Sequence, residues 1–445
     1  MATRGTFCDG LQRRDFLRVG SAGLFGGMWP LSSLLASAPN GVAGGAESEK
    51  SLILVFLRGG LSHIDTWDLK PEAPSEFRGE FKPISTNVPG TQISEFMPRT
   101  SQHMDKIALL RSFTHLDSTH VSGDHYVLTG YRTIGGFAGG LSFNNQFPSH
   151  GSILSKWHGP RGSVPPYVCV PDPHPSCGAA YLGPTAAPFS VNADPNEPGF
   201  TVRDVAPPLD VDPRRLEARQ EILARLDRFQ KGAEARANRG AESASVFRRK
   251  AFELMTSSTS KHAFDIQQEP EGLRDEYGRN TLGQSCLMAR RLVEAGVRCV
   301  TVHHVDWDTH EDNFVHLQRD LLPLLDASLS TLFRDLADRG LLDTTLVVVA
   351  SEMGRTPRIN DKAGGDHWSQ AYTIAMGGGG IRGGVVVGKT DERAEKPAED
   401  PHGPEDLAAT IHHLMGVDPN AEFHTPEGRP VKIVNDGRVI RGLLS

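Results

Sequence analysis

The side chains best suited to chemistry lie in a polar run at 303–314, with the sequence HHVDWDTHEDNF. The run follows an apolar stretch predicted to be a buried strand, and α/β proteins gather their sites at the carboxyl ends of such strands. Asp306 and His310 are four residues apart, so a carboxylate oxygen and an imidazole nitrogen can reach one divalent cation. Asp308 can replace Asp306. The stretch 308–311 can equally form a capping box for the helix that follows.

Three further loops that follow predicted strands carry titratable side chains. Because parallel strands end at one edge of a sheet, loops from several strands can converge on one site. A single histidine is more often structural than functional, but four such loops together indicate a site. The candidate residues are Arg58 and His63 after the first strand, His120 after the second, and Glu352 and His367 after a later one.

Six apolar runs predict the strands that position these loops. Several are continuous and rich in β-branched residues, as in strands buried on both faces. Helical periodicities at 282–293, 317–336 and 406–415 lie between or after them. This alternation predicts an α/β fold with a mainly parallel central sheet and helices on both faces. The predicted strands are Ser51–Leu57, Ile107–Phe113, Tyr167–Val170, Cys299–Val305, Thr345–Ala350 and Tyr372–Met376.

Residues 1–46 are predicted to form a signal peptide for the twin-arginine export route. The pair Arg13-Arg14 precedes an uncharged stretch at 19–46 that is rich in Gly, Ala, Ser and Leu. We therefore expect the mature chain to be exported by the twin-arginine machinery to the periplasm or the cell exterior. The mature chain, 47–445, is predicted to be one domain with a helical insertion at about 210–262.

Composition excludes several classes of protein. The chain has 445 residues, with 47 Lys and Arg against 54 Asp and Glu, so its net charge is −7. This mild acidity argues against a nucleic-acid-binding surface, which needs a concentrated basic face. After the leader, no apolar run approaches the ~20 residues that span a bilayer. The sequence lacks the GxSxG, HExxH and Walker signatures, and it has no CxxC pair for a thiolate zinc site.

Two local patterns favour structural interpretations. Gly378–Gly383 satisfies GxGxxG, but a predicted strand at Val385–Val387 follows it where a dinucleotide site needs a helix. A glycine-rich turn in a β-hairpin is therefore the preferred interpretation. Cys169 and Cys177 bracket a tight turn that a disulfide could close in an oxidising compartment.

Together, the motifs resemble a family of twin-arginine-exported bacterial proteins of unknown function, placed in the alkaline phosphatase and sulfatase superfamily. The resemblance covers essentially the whole mature chain and implies an alkaline-phosphatase-like or sulfatase-like fold. The matching segments are LRGG at Leu57–Gly60, HIDTWDLKP at His63–Pro71, YVLTG at Tyr126–Gly130, YGRNTLGQSCLMARRLVEAGVRCVTV at Tyr277–Val302, WDTH at Trp307–His310, SEMGRTPRIN at Ser351–Asn360, GGDHW at Gly364–Trp368 and GGGIRGGVVVGKTD at Gly378–Asp391.

The resemblance implies a metal centre. Superfamily enzymes hold one metal through an Asp, a His four residues later and a more distant His, and Asp306, His310 and His367 match that order. At the second metal, Arg58 stands where one Asp is expected and Glu352 where another is, so only Glu352 can coordinate. The expected cofactor is a divalent metal, zinc by preference. Its expected ligands come from Asp306, Asp308, His310, Glu352 and His367.

The resemblance also implies a departure at the nucleophile. The superfamily nucleophile lies nine residues before the Thr of a Thr-Gly pair, and nine residues before Thr129 stands His120. An imidazole replaces the usual Ser, Thr or Cys. The catalytic alternatives are metal-activated water with His120 as general base, or Ser122 or Thr119 as nucleophile in a shifted register.

Three classes of function stay open on these residues. The first is metal-dependent hydrolysis of phosphate or sulfate esters, with Arg58 holding the substrate anion in a bidentate fork and His63 facing the metal. The second is non-catalytic binding of an anionic polymer, such as a polysaccharide, or of a cell-surface component. The third is an exported assembly protein with a structural metal. A cleft filled by Trp307 or Trp368 would favour the second or third class.

Overall fold

A single eight-stranded sheet forms the centre of the computed structural model, which describes residues 49–134, 146–202, 205 and 256–445. Its strands are β1 (Ser51–Leu57), β2 (Ile107–Phe113), β3 (Tyr167–Val170), β4 (Phe189–Ser190), β5 (Cys299–His304), β6 (Thr345–Ala350), β7 (Tyr372–Gly377) and β8 (Val386–Val387). Their spatial order is β8-β2-β7-β6-β1-β5-β3-β4. All pairings within this sheet are parallel except those of β7 with β2 and β6.

The mainly parallel α/β fold that the sequence predicts is confirmed. Every residue of β1 is buried, and its side chains alternate between two apolar cores, as the two-residue period of a strand requires. Ile53, Val55 and Leu57 pack into one core, and the residues between them pack into the other. Helices supply the rest of both cores, which is why the central strands are continuous apolar runs.

Helices cover both faces of the sheet. Among the described residues, the α-helices of seven residues or more are α1 (His120–Thr129), α2 (His150–His158), α3 (Ser258–Phe264), α4 (Glu271–Tyr277), α5 (Thr281–Glu294), α6 (Leu322–Asp338) and α7 (Pro404–Leu414). The core of Ile53 includes side chains from α3 to α6, and the opposite core includes side chains from α1, α2 and α7. Within the ranges that the structure describes, no helix has the length and apolar character needed to cross a membrane.

The remaining elements are short. Helical turns lie at Ser75–Arg78, Thr100–Lys106, Pro175–Cys177, Ala180–Leu182, Pro184–Ala186, Ile266–Gln268, Asn313–His316, Leu342–Thr344 and Arg441–Leu443, and a π-helical turn at Leu317–Leu321 leads into α6. Four two-stranded sheets pair Pro83–Ser85 with Gln92–Ser94, Gly354–Arg355 with His367–Trp368, Lys389–Thr390 with Pro397–Glu399, and Glu422–His424 with Pro430–Lys432.

The glycine-rich segment after β7 does not close a β-hairpin. Val386 and Val387 do form a strand, so no helix opens there for a dinucleotide. That strand, β8, pairs with β2, and β2 separates it from β7. The hairpin interpretation is therefore wrong, because the glycines carry the chain across the end of β2 to its other side.

Three other predictions concern a disulfide, the signal peptide and the helical insertion. Cys169 and Cys177 are buried free thiols, so the suggested disulfide is absent. The predicted signal peptide at 1–46 lies outside the described residues, as does the predicted insertion up to residue 255. Both of these stay predictions. Residues 48–445 form one compact unit.

The sheet brings the candidate loops to one edge. The strands that run in the common direction end there, and the antiparallel β7 begins there. The side chains delivered to this edge are Arg58 after β1, His120 after β2, His174 after β3, Asp308 after β5, Glu352 after β6 and His367 before β7.

Candidate metal centre

Three side chains from different segments of the chain meet at this edge: His120 from the start of α1, Asp308 from the loop after β5 and His367 from a short strand. His120, Asp308 and His367 each offer one ligand atom, and these atoms lie within 4.8 Å of one another. His120 Nε2 is 3.2 Å from Asp308 Oδ2, and His367 Nε2 is 3.3 Å from Asp308 Oδ1. Two ligand atoms on a tetrahedral zinc ion, each ~2.1 Å from it, are roughly 3.3 Å apart. The donor set and its spacing therefore fit a zinc-like ion.

The outer ring nitrogens of both histidines are already engaged. His120 Nδ1 is 2.7 Å from Glu352 Oε1, and His367 Nδ1 is 3.0 Å from the carbonyl oxygen of Ser118. A carbonyl oxygen only accepts hydrogen bonds, so His367 Nδ1 carries the proton and Nε2 of the neutral ring carries a lone pair. That lone pair faces the Asp308 carboxylate. Such an approach of electron-rich atoms is repulsive unless a cation lies between them, as in carboxylate–histidine–metal sites.

The pKa values of the three groups follow from their surroundings. The hydrogen bond to Glu352 raises the pKa of His120. Burial, and then the charge of His120, lower the pKa of His367. Partial burial acts to raise the pKa of Asp308, but the hydrogen bond and charge of Arg355 outweigh it and hold that pKa at about 2. At neutral pH, Asp308 is therefore an anion and His367 a neutral imidazole.

Glu352 lies behind His120 rather than among the ligand atoms. Its buried carboxylate accepts hydrogen bonds from the Gly59 backbone at 2.9 and 3.1 Å and from the Ser351 hydroxyl at 3.0 Å. A side chain at Gly59 is excluded, because its φ is +129° and a Cβ would lie 2.4 Å from the Asp308 backbone nitrogen. Glu352, predicted as a ligand, therefore orients His120 instead.

His310 reaches the same carboxylate from another side. Its Nε2 is 3.0 Å from Asp308 Oδ1, and its Nδ1 is 3.1 Å from Asp366 Oδ1. The buried guanidinium of Arg355 also lies here, donating to Asp308 Oδ1 and lying 3.3 Å from His310 Nε2. Sequence reasoning missed Arg355, whose only signal was its place in a matching motif beside Glu352.

Arg58 is held one helical turn from this cluster. Its Nε donates to Asp124 Oδ2 at 3.0 Å, and His174 Nε2 lies 3.0 Å from the same oxygen. Asp124 and His120 are four residues apart on α1, so their side chains share one face of the helix. Within the described ranges, the two Nη groups of Arg58 have no hydrogen-bond partner in the protein. The i, i+4 spacing of His120 and Asp124 is the signal that sequence reasoning overlooked.

Two predicted site residues lie outside the cluster. Asp306 is exposed at a left-handed backbone position, φ 76°, and makes no hydrogen bond or ion pair with the cluster in the described part of the chain. His63 is buried, with Nε2 3.0 Å from the carbonyl oxygen of Ala394, and burial lowers its pKa. This geometry gives no support to Asp306 as a ligand or to His63 as a catalytic group, because the Asp306 side chain is exposed and His63 Nε2 contacts a backbone carbonyl oxygen.

Two alternatives from the sequence also lose support. The helix after β5 begins only at Asn313, and its N-cap residue Asp312 makes no side-chain capping bond, so 308–311 is not a capping box. The hydroxyls of Thr119 and Ser122 both bond to Asp117 rather than facing Asp308. No hydroxyl nucleophile is therefore supplied by these two residues.

Comparison with known proteins identifies a family. A family model described as "Protein of unknown function (DUF1501)" matches residues 49–444. No curated protein sequence matches the chain.

The similarity of this chain to solved structures is distant. They include the lipoteichoic acid synthase LtaP from Listeria monocytogenes, with 12% identity over 90% of this chain and 78% of that one and a TM-score of 0.39. The PsFucS1 sulfatase from Pseudoalteromonas sp. has 14% identity over 83% and 68%, TM-score 0.36. The phosphonate monoester hydrolase SpPMH from Silicibacter pomeroyi has 11% identity over 88% and 76%, TM-score 0.39. Likeness at this level assigns no activity to the chain.

Proposed function

The chain belongs to the DUF1501 family of proteins of unknown function, and from the geometry of its candidate centre we propose that it is a metal-dependent hydrolase of phosphate or sulfate esters. The reaction breaks the bond between the ester oxygen and phosphorus or sulfur, and water supplies the replacement oxygen. The observation that carries the proposal is the convergence of His120, Asp308 and His367, whose ligand atoms lie within 4.8 Å of one another.

The residues that would hold the ion are His120, Asp308 and His367. Three protein ligands leave one position of a tetrahedral ion open, the pattern of catalytic rather than structural zinc. When bound, a divalent cation supplies a Lewis acid that polarises the ester oxygen. Because both nitrogens of His120 are engaged, by Glu352 and by the ligand cluster, we assign it to metal binding and not to general-base catalysis.

Arg58 is proposed to bind the substrate anion. Its Nε is held by the buried Asp124, which leaves the two Nη groups as a fork that suits two oxygens of a sulfate or phosphate group. Trp307 is buried and donates to His304, and Trp368 donates to the Glu395 carbonyl oxygen. The cluster is accessible, because the side chains of Asp308, His120 and His367 are 43%, 24% and 25% exposed. This exposure supports an anionic ester, including an esterified polysaccharide, as the ligand.

Metal removal tests the proposal. Protein purified with its metal is expected to hydrolyse 4-nitrophenyl phosphate or 4-nitrophenyl sulfate, and dialysis against a chelator is expected to lower the rate by about 10³-fold. The reason is that a Lewis acid contributes several kcal/mol of transition-state stabilisation. Adding Zn²⁺ back should restore the rate. Arg58→Ala should retain the metal and raise KM more than it lowers kcat.

Two results would count against hydrolysis. A wild-type protein that never holds a divalent metal contradicts the metal centre itself. A metal-loaded protein that hydrolyses no phosphate or sulfate ester contradicts the enzyme but not the centre. The second result would favour non-catalytic binding of an anionic polymer, which equilibrium binding to sulfated and unsulfated polysaccharides would then measure.

We also propose that the protein is exported by the twin-arginine route. Arg13 and Arg14, followed by the uncharged stretch at 19–46, support this. Replacing both arginines by lysine is expected to leave the precursor in the cytoplasm, measured by cell fractionation and immunoblotting. The matched control is Arg18→Lys, which keeps the pair and should be exported. Normal export of the double variant contradicts the route.

A further inference from the structure

The guanidinium of Arg355 is built into the centre as a fixed cation. It is almost completely buried and donates to four backbone carbonyl oxygens: Nη2 to Gly59 at 2.7 Å and to Trp307 at 3.5 Å, Nε to Gly60 at 3.2 Å and Nη1 to Gly365 at 3.2 Å. Its remaining contacts are with Asp308 Oδ1 and His310 Nε2. An arginine stays protonated at every pH at which proteins fold, so this charge is permanent.

Glycines allow the guanidinium to reach these carbonyl oxygens. A Cβ at Gly365 would lie 2.9 Å from Arg355 Cβ, and one at Gly60 would lie 3.2 Å from Arg355 Nε. Gly60 also has a φ of +103°, which other residues rarely adopt. The backbone at three separate positions is thus shaped to hold one guanidinium against one carboxylate.

The two oxygens of Asp308 therefore face different partners. Oδ2 faces His120. Oδ1 faces His367 and also lies beside Arg355 and His310. His310 Nε2 and Asp308 Oδ1, 3.0 Å apart, would be suitable ligands for a second cation. Arg355 contacts both atoms. A second ion there would have to displace a buried permanent charge from its hydrogen bonds or lie directly beside it.

We infer that Arg355 takes the place of a second metal, so that the centre holds one divalent ion and one guanidinium. His310 then contacts Arg355 and does not bind the metal. This inference rests on the proposed metal centre at His120, Asp308 and His367. It goes beyond that proposal by setting the number of ions at one. It also assigns Arg355 as a positioning residue that holds the Asp308 carboxylate oriented toward the single ion.

Zinc stoichiometry tests the inference. Elemental analysis after equilibration with Zn²⁺ and gel filtration is expected to find one equivalent in the wild type. His310→Ala should still hold one equivalent, with its affinity changed by less than about tenfold, the low end of outer-shell effects. His367→Ala should lose the bound zinc under the same conditions. His316→Ala, on the exposed surface next to Asp320, is the matched control and should match the wild type.

A second variant removes the guanidinium. Arg355→Met keeps an unbranched apolar side chain without the charge and should raise the stoichiometry to two. Adding His310→Ala to it should return the value to one. Two equivalents in the wild type, loss of the single zinc from His310→Ala, or one equivalent in a folded Arg355→Met would each overturn the inference. Zero equivalents in the wild type would instead contradict the proposed metal centre. If Arg355→Met does not fold, the His310→Ala result alone decides.

Discussion

Replacing Asp308 by asparagine is expected to release the metal and to lower ester hydrolysis by about 10³-fold or more at a fixed zinc concentration. The carboxylate is the one group that both His120 and His367 face, at 3.2 and 3.3 Å. An amide carries no charge, and its NH2 group cannot bind a cation or accept from Arg355. Zinc affinity should therefore fall by more than the ~10–100-fold that outer-shell substitutions cost.

Asp306→Asn is the matched control for this substitution. It makes the same chemical change two residues earlier, on an exposed side chain that has no contact with the cluster in the described part of the chain. Zinc content by elemental analysis and rate with 4-nitrophenyl esters should both equal those of the wild type. Full zinc retention by Asp308→Asn, or equal losses in the two variants, would contradict the ligand assignment.

This pair of residues illustrates where a sequence argument reaches its limit. The four-residue spacing of Asp306 and His310 puts two side chains on one side only if the backbone between them is regular. Here β5 ends at His304, Asp306 adopts φ 76°, and no helix begins before Asn313. The buried Trp307 between the two aspartates anchors the loop, and the later carboxylate is the one that reaches the cluster.

The fold was easier to predict than the site because the sequence patterns that indicate its strands are local. A run such as SLILVFL is apolar at every position, which only a strand covered on both faces explains well at that length. The predicted bounds of β1, β2, β3 and β6 match the structure. The hairpin prediction for the glycine segment after β7 was wrong because the pairing of strands depends on residues far apart in the sequence. Here β2 lies 200 or more residues away from the segment along the chain.

The contacts that complete the centre are also long-range. Arg355 meets a carboxylate 47 residues earlier, and Glu352 meets His120 across 232 residues. Nothing in the local pattern around Arg355 separates it from a solvated arginine. By contrast, convergence of the loops was predictable, because parallel strands must end at one edge and each loop carried titratable residues.

Arg290→Met is expected to lower the free energy of unfolding by about 3–5 kcal/mol, the cost of leaving buried partner charges uncompensated. Arg290 lies on α5 and is completely buried. Its guanidinium is 2.8 Å from Glu269 Oε1 and 2.8 Å from Asp335 Oδ2. These two ion pairs join α5 to α6 and to the turn before α4. Arg291 and Arg339 also contact these carboxylates, so the loss should fall toward the lower end of that range.

Denaturant unfolding of the metal-free protein, followed by circular dichroism, measures this loss. The control is Arg319→Met on the exposed surface, where Arg319 pairs, among the residues that the structure describes, only with the adjacent Asp320, and its unfolding should match the wild type. Uncompensated charge also predicts a rescue. Adding Asp335→Asn to Arg290→Met removes a carboxylate that has lost Arg290 and should recover part of the stability, because Arg339, the other partner of Asp335, keeps Glu294. If the double variant is as unstable as the sum of two independent losses, packing of the Arg290 side chain and not its charge holds α5 against α6.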